Sequence, residues 1–530
     1  MAAAAITSNR YSVATTIIVA LSEYCPLKSR ALLIGVDMGT SSTRVVIVDE
    51  NGSRRAAASH PSRLLNPARQ VFKQEPEEMY ASVLRAIKDA LSQVETPPAV
   101  IAGVAICGQM AGISTVGRHW EATTPYDSWL DLRCAPQVDQ LKEYEQLILE
   151  CSGGPVTANH AAKWLYWRDQ HPEIYRRINK IIMPAAYVAG RMAALSSDDA
   201  FMDYTYLGSN SFSDSQALDW NHSLLSEFRL DADLLPRLVK PWDVIGAVSQ
   251  STAAACGLLA GTPIFAGCGD IAASMLGAAA FKTGQLLDIA GTGSVLATVM
   301  EEFVVDTHHK TLTTFRHCLP ELFYSAAYVG GGGMNFNWLG LANDDFSKLD
   351  ALVGAPLSDR NKLLFLPHLG GSHAPFDAAM SGAFVGLDWR HDKSDRCRAM
   401  MESIAYEYAR FLQCINDMQV SVDESSLLGV GGGANSQLFN QIKADVLGLT
   451  YHQRPVAEYG AMGAALLAGR GAGVLPDLQK AAEQWQEPIV NNALPDPLKG
   501  KFYAGMRKAY EQMRSNLTPV FLELQSVSLH

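Results

Sequence analysis

Nine cysteines are scattered through 530 residues without one CxxC pair. An odd count without framework spacing excludes a disulfide scaffold and points to free thiols in a reducing, cytoplasmic compartment. Charge is scarce: charged residues make up 18% of the chain, and the formal net charge is −11. No run of Lys and Arg offsets that acidic balance, so phosphate backbones are repelled and nucleic acid is not an expected partner. The GxxxxGK[ST] loop is absent, and GxGxxG fails even across the glycine-rich stretch Gly330 to Asn335. These absences exclude a Walker loop and count against a dinucleotide-binding dehydrogenase. The apolar run Val13 to Leu21 stops at nine residues, where a membrane span needs roughly 20. Arg10 alone precedes it, and Glu23, Tyr24 and Pro26 follow, so the signal-peptide pattern is not met. Residues 1–30 read as a loosely packed extension, with no membrane partner.

What remains is an apolar chain, 48% hydrophobic, long enough for two or three domains with large cores. Ala31 to Asp49 places two β-branched runs around a Gly/Ser/Thr turn and predicts a hairpin. In Glu75 to Val94, the residues Met79, Val83, Ile87, Leu91 and Val94 share one helical face behind Pro76. Val100 to Ile106 is then an apolar strand, and the alternation indicates an α/β fold. A second cycle follows Pro263: strand Ile264 to Ala266, the turn GCGD, a small-residue helix over Ala272 to Ala280, and strand Gln285 to Ala290. Gly291-Thr292-Gly293 and the strand Ser294 to Val299 echo the first hairpin. A third glycine turn, Gly429 to Gly433, precedes a helix through Phe439 and Val446. The repeated hairpin predicts two similar halves facing a cleft: 31–281 and 282–530, after the extension 1–30.

Several side chains suit phosphate and hydroxyl chemistry. Gly39 allows close approach of backbone to a ligand. Thr40, Ser41, Ser42 and Thr43 offer hydroxyls, and Arg44 adds fixed charge. Asp37 ends an apolar strand and can hold a hydrated Mg²⁺. Alone, this is an ordinary hairpin with a solvated turn. Asp270 follows a buried strand and a glycine turn, where α/β ligands bind, and can accept the proton of an attacking hydroxyl. Its ordinary alternative is an Asp N-cap. Gly291-Thr-Gly293 and Val329 to Trp338 make room for a nucleotide, or simply pack tightly. The tandem His308-His309 reads as solvated surface, since no third ligand at metal spacing accompanies it.

In order, GVDMGTSSTR, GQM at 108–110, SWLDLR at 128–133, GCGDIAASMLGAA, DIAGTGS, PHLGGSHAPF, GAFVGL, GGGANSQLFNQIKADVLG and AMGAALLAG resemble the FGGY carbohydrate kinases. That family holds glycerol kinase, xylulokinase and ribulokinase, and the chain is most similar to its xylulokinase-like members. The resemblance spans about residues 32–475 and implies an actin-like ATPase (ribonuclease H-like) fold, duplicated, closing on ATP and a small-molecule sugar. It implies Asp270 as catalytic base, Thr40, Ser41, Ser42 and Arg44 as the phosphate turn, and Thr292 beside the phosphates. Gly333, Asn337, Gly432, Asn435 and Ser436 fall at nucleotide contacts, and Asp37 near Mg²⁺. On the sugar side, xylulokinases read like GQMHG; here Met110 is kept and Ala111 replaces the His. Glycerol kinases carry Arg-Glu there, which argues against glycerol. Ile271 stands where the family has Asn or Gln. Asp131, Asn159 and His160 are candidates for the missing polar contact, although Asp131 could pair with Arg133 and His160 could be an ordinary histidine.

The expected reaction is transfer of the γ-phosphoryl of ATP to a hydroxyl of a small ketose, a ketopentose such as D-xylulose. Ribulose, sedoheptulose or an alditol as acceptor, and an actin-like sugar sensor without turnover, are the rivals. A homodimer is compatible with the sequence, which does not specify assembly.

Overall fold

The computed structural model describes residues 31–95, 100–340, 346–354, 357, 361–455 and 458–527; the extension 1–30 lies outside these described residues. Two mixed sheets carry the chain. In the first, β1 (Leu32–Met38), β2 (Ser42–Asp49) and β3 (Arg54–Pro61) form an antiparallel meander. β4 (Ile101–Gly108) runs parallel to β1, and β5 (Val244–Ala247) and β6 (Pro263–Phe265) complete the order β5-β6-β4-β1-β2-β3. The second sheet holds β7 (Leu286–Ala290), β8 (Ser294–Met300), β9 (Thr313–Arg316), β10 (Phe323–Val329), β11 (Ser426–Val430), β12 (Thr450–Gln453) and β13 (Asn491–Ala493). Its order is β9-β10-β8-β7-β11-β12-β13. With β9 set aside, the two sheets have one topology: an antiparallel meander, two strands added parallel to its first strand, and an antiparallel outer strand. The echo between the two glycine hairpins is a duplication of whole sheets.

The helices that position the site and join the halves begin with α1 (Pro76–Leu91), α2 (His160–Gln170) in a lobe inserted between β4 and β5, α3 (Asp270–Gly277) and α4 (Gly332–Trp338). Then come α5 (Lys393–Asp417), α6 (Gln437–Leu447), α7 (Tyr459–Gly471) and α8 (Pro497–Ser526). On α1, Met79, Val83 and Ile87 are buried as the periodicity predicts, but the helix closes at Ser92, so Val94 lies beyond it. Gly429 is the other departure: it belongs to β11, where a side chain would strike the Tyr451 ring, and the turn begins at Gly431 with φ 86°.

β1 is apolar on both faces because it is covered on both. α7 comes from the second half of the chain yet packs on β1, β4 and α3 of the first. The contact is backbone to backbone. A Cβ at Gly35 would stand 1.8 Å from the Ala461 carbonyl oxygen, and one at Gly463 would stand 1.9 Å from that of Ala273. The largest core runs through the first sheet, α3 and α7; a second fills the other sheet with α5 and α6, and a third fills the inserted lobe around α2. Among the described residues no helix is long and apolar enough to cross a membrane, and the eight described cysteines are unpaired.

The α3–α7 contact leaves no room for a methyl group. Gly463→Ala is expected to cost about 1–3 kcal/mol through overpacking, seen as a lower urea midpoint with the circular dichroism spectrum retained. Gly505→Ala, on α8 with open space around it, serves as the control and is expected to leave the midpoint unchanged or raise it.

Candidate active site

Three loops leave the first sheet at the carboxyl ends of its parallel strands, the place where open α/β sheets bind ligands. Asp37 sits near the end of β1. Asp270 is the first residue of α3; Gly269 takes the N-cap position, so the carboxylate is not spent on capping. One oxygen accepts the Ile271 N–H at 2.9 Å. Both carboxylates keep partial exposure. Burial first, and the Asp37 charge second, push the Asp270 carboxyl up to about 7. Burial also raises Asp37, opposed by Arg44, its partner across the β1–β2 ladder, and by the Cys107 thiol.

The loop carrying Asp270 has a rigid seat. The Gly269 N–H donates to Thr205 Oγ1 at 2.9 Å, and that hydroxyl donates to Asp203 at 2.6 Å. Tyr206 donates to the carbonyls of Gly108 and Cys268, at 3.1 and 3.0 Å, tying the 108–112 turn to the 267–270 turn. Met110 lies against Gly269, where a Cβ would be 2.6 Å from its sulfur. Ala111 is held at φ 58°, a left-handed conformation that costs a non-glycine residue about 1–2 kcal/mol. Beside this turn stands Tyr126. Its ring is fully buried, its oxygen would lie 2.4 Å from a Cβ at Gly112, and its hydroxyl has no partner at hydrogen-bonding geometry, with the Trp129 backbone N–H turned toward it. After burial, the charge of Asp270 contributes most to raising it.

The two glycine hairpins meet. Ser41 Oγ and Thr292 Oγ1 are 3.1 Å apart, one from each half. Thr40 is buried in a closed ring of bonds: it accepts from Trp129 Nε1 and donates to Gln109, both at 3.0 Å, and Gln109 reaches Gln74 at 2.8 Å. Ser42 returns its carbonyl to the Gly39 N–H at 3.0 Å. Trp129 then crosses to the second half, packing 5.5 Å from the Tyr328 ring and 5.9 Å from that of His373.

Other sequence-predicted residues sit as follows. Both oxygens of Asp131 are occupied by Arg133 and by the Phe72 N–H, at 2.9 Å for the latter. Asn159 caps α2 and bonds Ser211. His160 accepts from Asn210 at 2.8 Å on Nδ1, while its buried Nε2 has no partner. The same is true of His373 Nε2, and burial brings both rings down to about 3, so each is neutral. Gly333 donates its N–H to the Gly291 carbonyl at 3.2 Å, fastening α4 to the second hairpin. Asn337 is exposed on α4. Gly432 and Asn435 form the turn after β11, with Asn435 accepting from Gln453 at 3.1 Å. Ser436 caps α6 and donates to Asp350. The tandem histidines lie at the surface as read, and the fold adds what sequence spacing could not show: Asp417, distant in sequence, lies 2.7 Å from His309.

Sequence reasoning missed Tyr126, Trp129 as a residue of the cleft wall, Tyr328 and His373. Tyr126 and Trp129 flank the acidic motif 127–133, but nothing in their spacing marks an unpaired hydroxyl or an inter-half contact. For a cation, the donor set fits a hard oxygen-binding ion: two carboxylates raised by burial, one of them raised further by the other, would be relieved by Mg²⁺ between or beside them.

Residues 32–277 match the N-terminal domain of the FGGY family of carbohydrate kinases, and residues 286–472 match its C-terminal domain. A xylulose kinase of Staphylococcus epidermidis is 26% identical over 493 residues, covering 92% of this chain and 97% of that protein. An autoinducer-2 kinase of Yersinia enterocolitica is 27% identical over 491 residues, 88% of this chain and 90% of that one. Among solved structures, ligand-bound xylulose kinase from Lactobacillus acidophilus superposes with a TM-score of 0.79 at 22% identity, covering 93% of this chain and 99% of that chain.

The raised Asp270 carboxyl makes a stability prediction with a definite sign. A carboxyl near 7 in the fold and near 3.8 when unfolded binds its proton more tightly in the native state. Stability is therefore lost as pH rises from about 4 through 7. Asp270→Asn removes that titration, so its melting temperature relative to wild type is expected to climb across the same window. A constant difference from pH 5 to 8 would contradict the raised value.

Proposed function

The chain belongs to the FGGY family of carbohydrate kinases and is a phosphotransferase acting on a sugar hydroxyl, and from that premise we propose that it transfers the γ-phosphoryl of ATP, with Mg²⁺, to a ketopentose such as D-xylulose. Its architecture is the duplicated α/β fold of the actin-like ATPase class. The observation that carries the reading is Asp270: a carboxylate not spent on capping, raised to about 7, at the end of a parallel strand and close enough to Asp37 to feel its charge.

Phosphoryl transfer leaves little covalent work to the protein; positioning and charge neutralisation dominate. Asp270 receives the proton of the attacking hydroxyl, and a carboxyl near 7 is matched to that role at neutral pH. The Gly269–Thr205–Asp203 bonds hold it in line. Asp37 would hold the hydrated Mg²⁺, which supplies neutralisation of phosphate charge when bound. Arg44 favours the ionised form of Asp37. Ser41, Ser42 and Thr292 present hydroxyls to the phosphates from opposite sides, and Thr40 with Arg44 fixes the shape and charge of the turn. Gly333 and Asn337 on α4, and Gly432, Asn435 and Ser436 before α6, line the nucleotide side. Trp129, spanning the halves, excludes water that would otherwise accept the phosphoryl group.

For the sugar, Met110 and Ala111 offer apolar surface and backbone. Among the buried polar atoms without a partner, we assign the Tyr126 hydroxyl and the Nε2 atoms of His160 and His373 to the sugar. Asp131 and Asn159 act behind them, Asp131 by fixing Arg133 and Asn159 by capping the helix that begins with His160. A ketopentose reaches several such groups; glycerol reaches few. The relatives' own names, xylulose kinase and autoinducer-2 kinase, keep other acceptors, such as ribulose, sedoheptulose or an alditol, in the comparison.

Asp270→Ala is expected to fold, to bind ATP as wild type does, and to lose roughly 10²-fold or more in kcat. Near-normal turnover in a coupled ADP-release assay would remove Asp270 from the role of base.

Acceptor choice is tested by kcat/KM for D-xylulose, D- and L-ribulose, sedoheptulose, pentitols and glycerol. D-xylulose or a close epimer is expected to exceed glycerol by roughly tenfold to a hundredfold, the worth of two or three net hydrogen bonds. Tyr126→Phe is expected to raise KM for the sugar about fivefold, leave KM for ATP unchanged, and cost no stability, since its hydroxyl is unpaired without ligand. Glycerol as the best acceptor would reject the ketopentose reading, and unchanged sugar kinetics in the Phe variant would remove Tyr126 from the pocket.

A further inference from the structure

Away from the cleft, the end of α5 meets the turn before β9. His308 Nδ1 lies 3.2 Å from His309 Nε2, and His309 Nε2 lies 2.7 Å from Asp417 Oδ2. The three ligand-type atoms all fall within 4.8 Å of one another. The two rings stand edge to face, with centroids 4.3 Å apart and planes at 88°, so their nitrogens converge while the rings do not stack.

Protons alone satisfy this arrangement badly. His309 Nε2 carries at most one hydrogen. If it donates to Asp417, it has no lone pair for His308, and the His308 Nδ1 lone pair meets at best a shared hydrogen. If instead His308 Nδ1 is the donor, the bare Nε2 faces a carboxylate oxygen at 2.7 Å. A cation at the centre accepts all three lone pairs at once.

We propose that His308, His309 and Asp417 bind one divalent transition-metal ion, with Zn²⁺ the fitting species. Two imidazole nitrogens and one carboxylate oxygen form a borderline donor set that selects Zn²⁺ over the hard Mg²⁺. Ligands of tetrahedral zinc lie about 3.3 Å apart at bond lengths near 2.0–2.1 Å. The 3.2 Å separation already fits, and the 2.7 Å contact opens by about half an ångström on binding. His308 and Asp417 are exposed, which leaves the fourth position to water.

The ligands are held from behind, as metal ligands are in built sites. Gln413 donates to the second oxygen of Asp417 at 2.8 Å, one turn back on α5. The His309 N–H donates to Asp306 at 2.8 Å, and the other oxygen of buried Asp306 takes the Thr311 and Leu312 N–H groups at 2.8 and 3.1 Å. The neighbouring Lys310 pairs with Glu145 of the inserted lobe. The ion therefore cross-links a turn that touches the first half to α5, a core helix of the second, and its role is structural.

The test uses full-length, tag-free, chelator-treated protein without nucleotide or sugar. ZnCl₂ is titrated calorimetrically and melting temperature is followed, with MgCl₂ in parallel. Zn²⁺ is expected to bind at one site per chain and raise the melting temperature, and Mg²⁺ to do neither at this site. His308→Ala and Asp417→Asn, both at exposed positions, are each expected to weaken that Zn²⁺ binding at least about tenfold while keeping the wild-type circular dichroism spectrum. Kinase activity with Mg²⁺ is expected to be unchanged in both. Zn²⁺ binding undiminished in the two variants, or absent from the wild type, overturns the proposal.

Discussion

Two largely buried carboxylates at the carboxyl ends of the first sheet's parallel strands are the constraint around which this molecule is arranged. Asp37 and Asp270 are each raised by burial, and Asp270 is raised further by Asp37. Their like charges are tolerable because they differ in neighbours. Arg44, paired across the hairpin, draws Asp37 toward the ionised side. Asp270 has no cation among the groups that shift it and receives one peptide N–H from Ile271. Both groups are raised, but only Asp37 has a cation drawing it back, so environment distinguishes two chemically equal carboxyls.

The same pair is tied to the join between the halves. α3 begins with Asp270 and, three residues later, presents the Ala273 carbonyl to Gly463 of α7; at its end, Gly277 faces the Tyr459 carbonyl. On the other side of α7, Gly460 lies against the Asp37 carboxylate and Ala461 against Gly35. One helix from the second half is thus wedged between the helix that carries Asp270 and the strand that carries Asp37. Glycine is required there because backbones touch. The packing of the two halves and the placement of the two carboxylates therefore rest on the same backbone contacts.

Legibility in the sequence followed locality. The β1–β2 hairpin, α1, β4 and the second hairpin were readable because each is a short apolar run with its own turn chemistry. The duplication was readable because two hairpins with glycine turns repeat. Asp270 was readable by its place after a strand and a glycine turn, although its position as the first helical residue, with Gly269 as cap, was not. Long-range facts were silent. α7 reads as an ordinary small-residue helix of the second half, and only the tertiary fold sets it on β1. Asp417 sits at the end of a long amphipathic helix with nothing to announce the histidines it meets. Tyr126 reads as a strand aromatic, and its missing partner is visible only once every neighbouring donor and acceptor has a place. Thr40 and Ser436 offer hydroxyls in sequence, and the structure shows those hydroxyls already bonded within the protein, so their contribution is to the shape of the turns.

These internal bonds bear on which hydroxyls the proposed phosphate site would use. With Thr40 bonded to Trp129 and Gln109, and Ser436 capping α6, the hydroxyls that meet across the gap between the hairpins are those of Ser41 and Thr292. They touch each other at 3.1 Å, so a phosphate cannot enter without parting them. Each hydroxyl then exchanges a hydroxyl partner for an anionic oxygen, a stronger bond than the one it gives up. Under the proposed kinase reading, the two repeated hairpins would thus present a pair of hydroxyls that is satisfied when empty and better satisfied with phosphate between them. Trp129 is anchored on Thr40 of one hairpin, packs at Gly293 of the other and borders His373, so one side chain connects both hairpins to that ring.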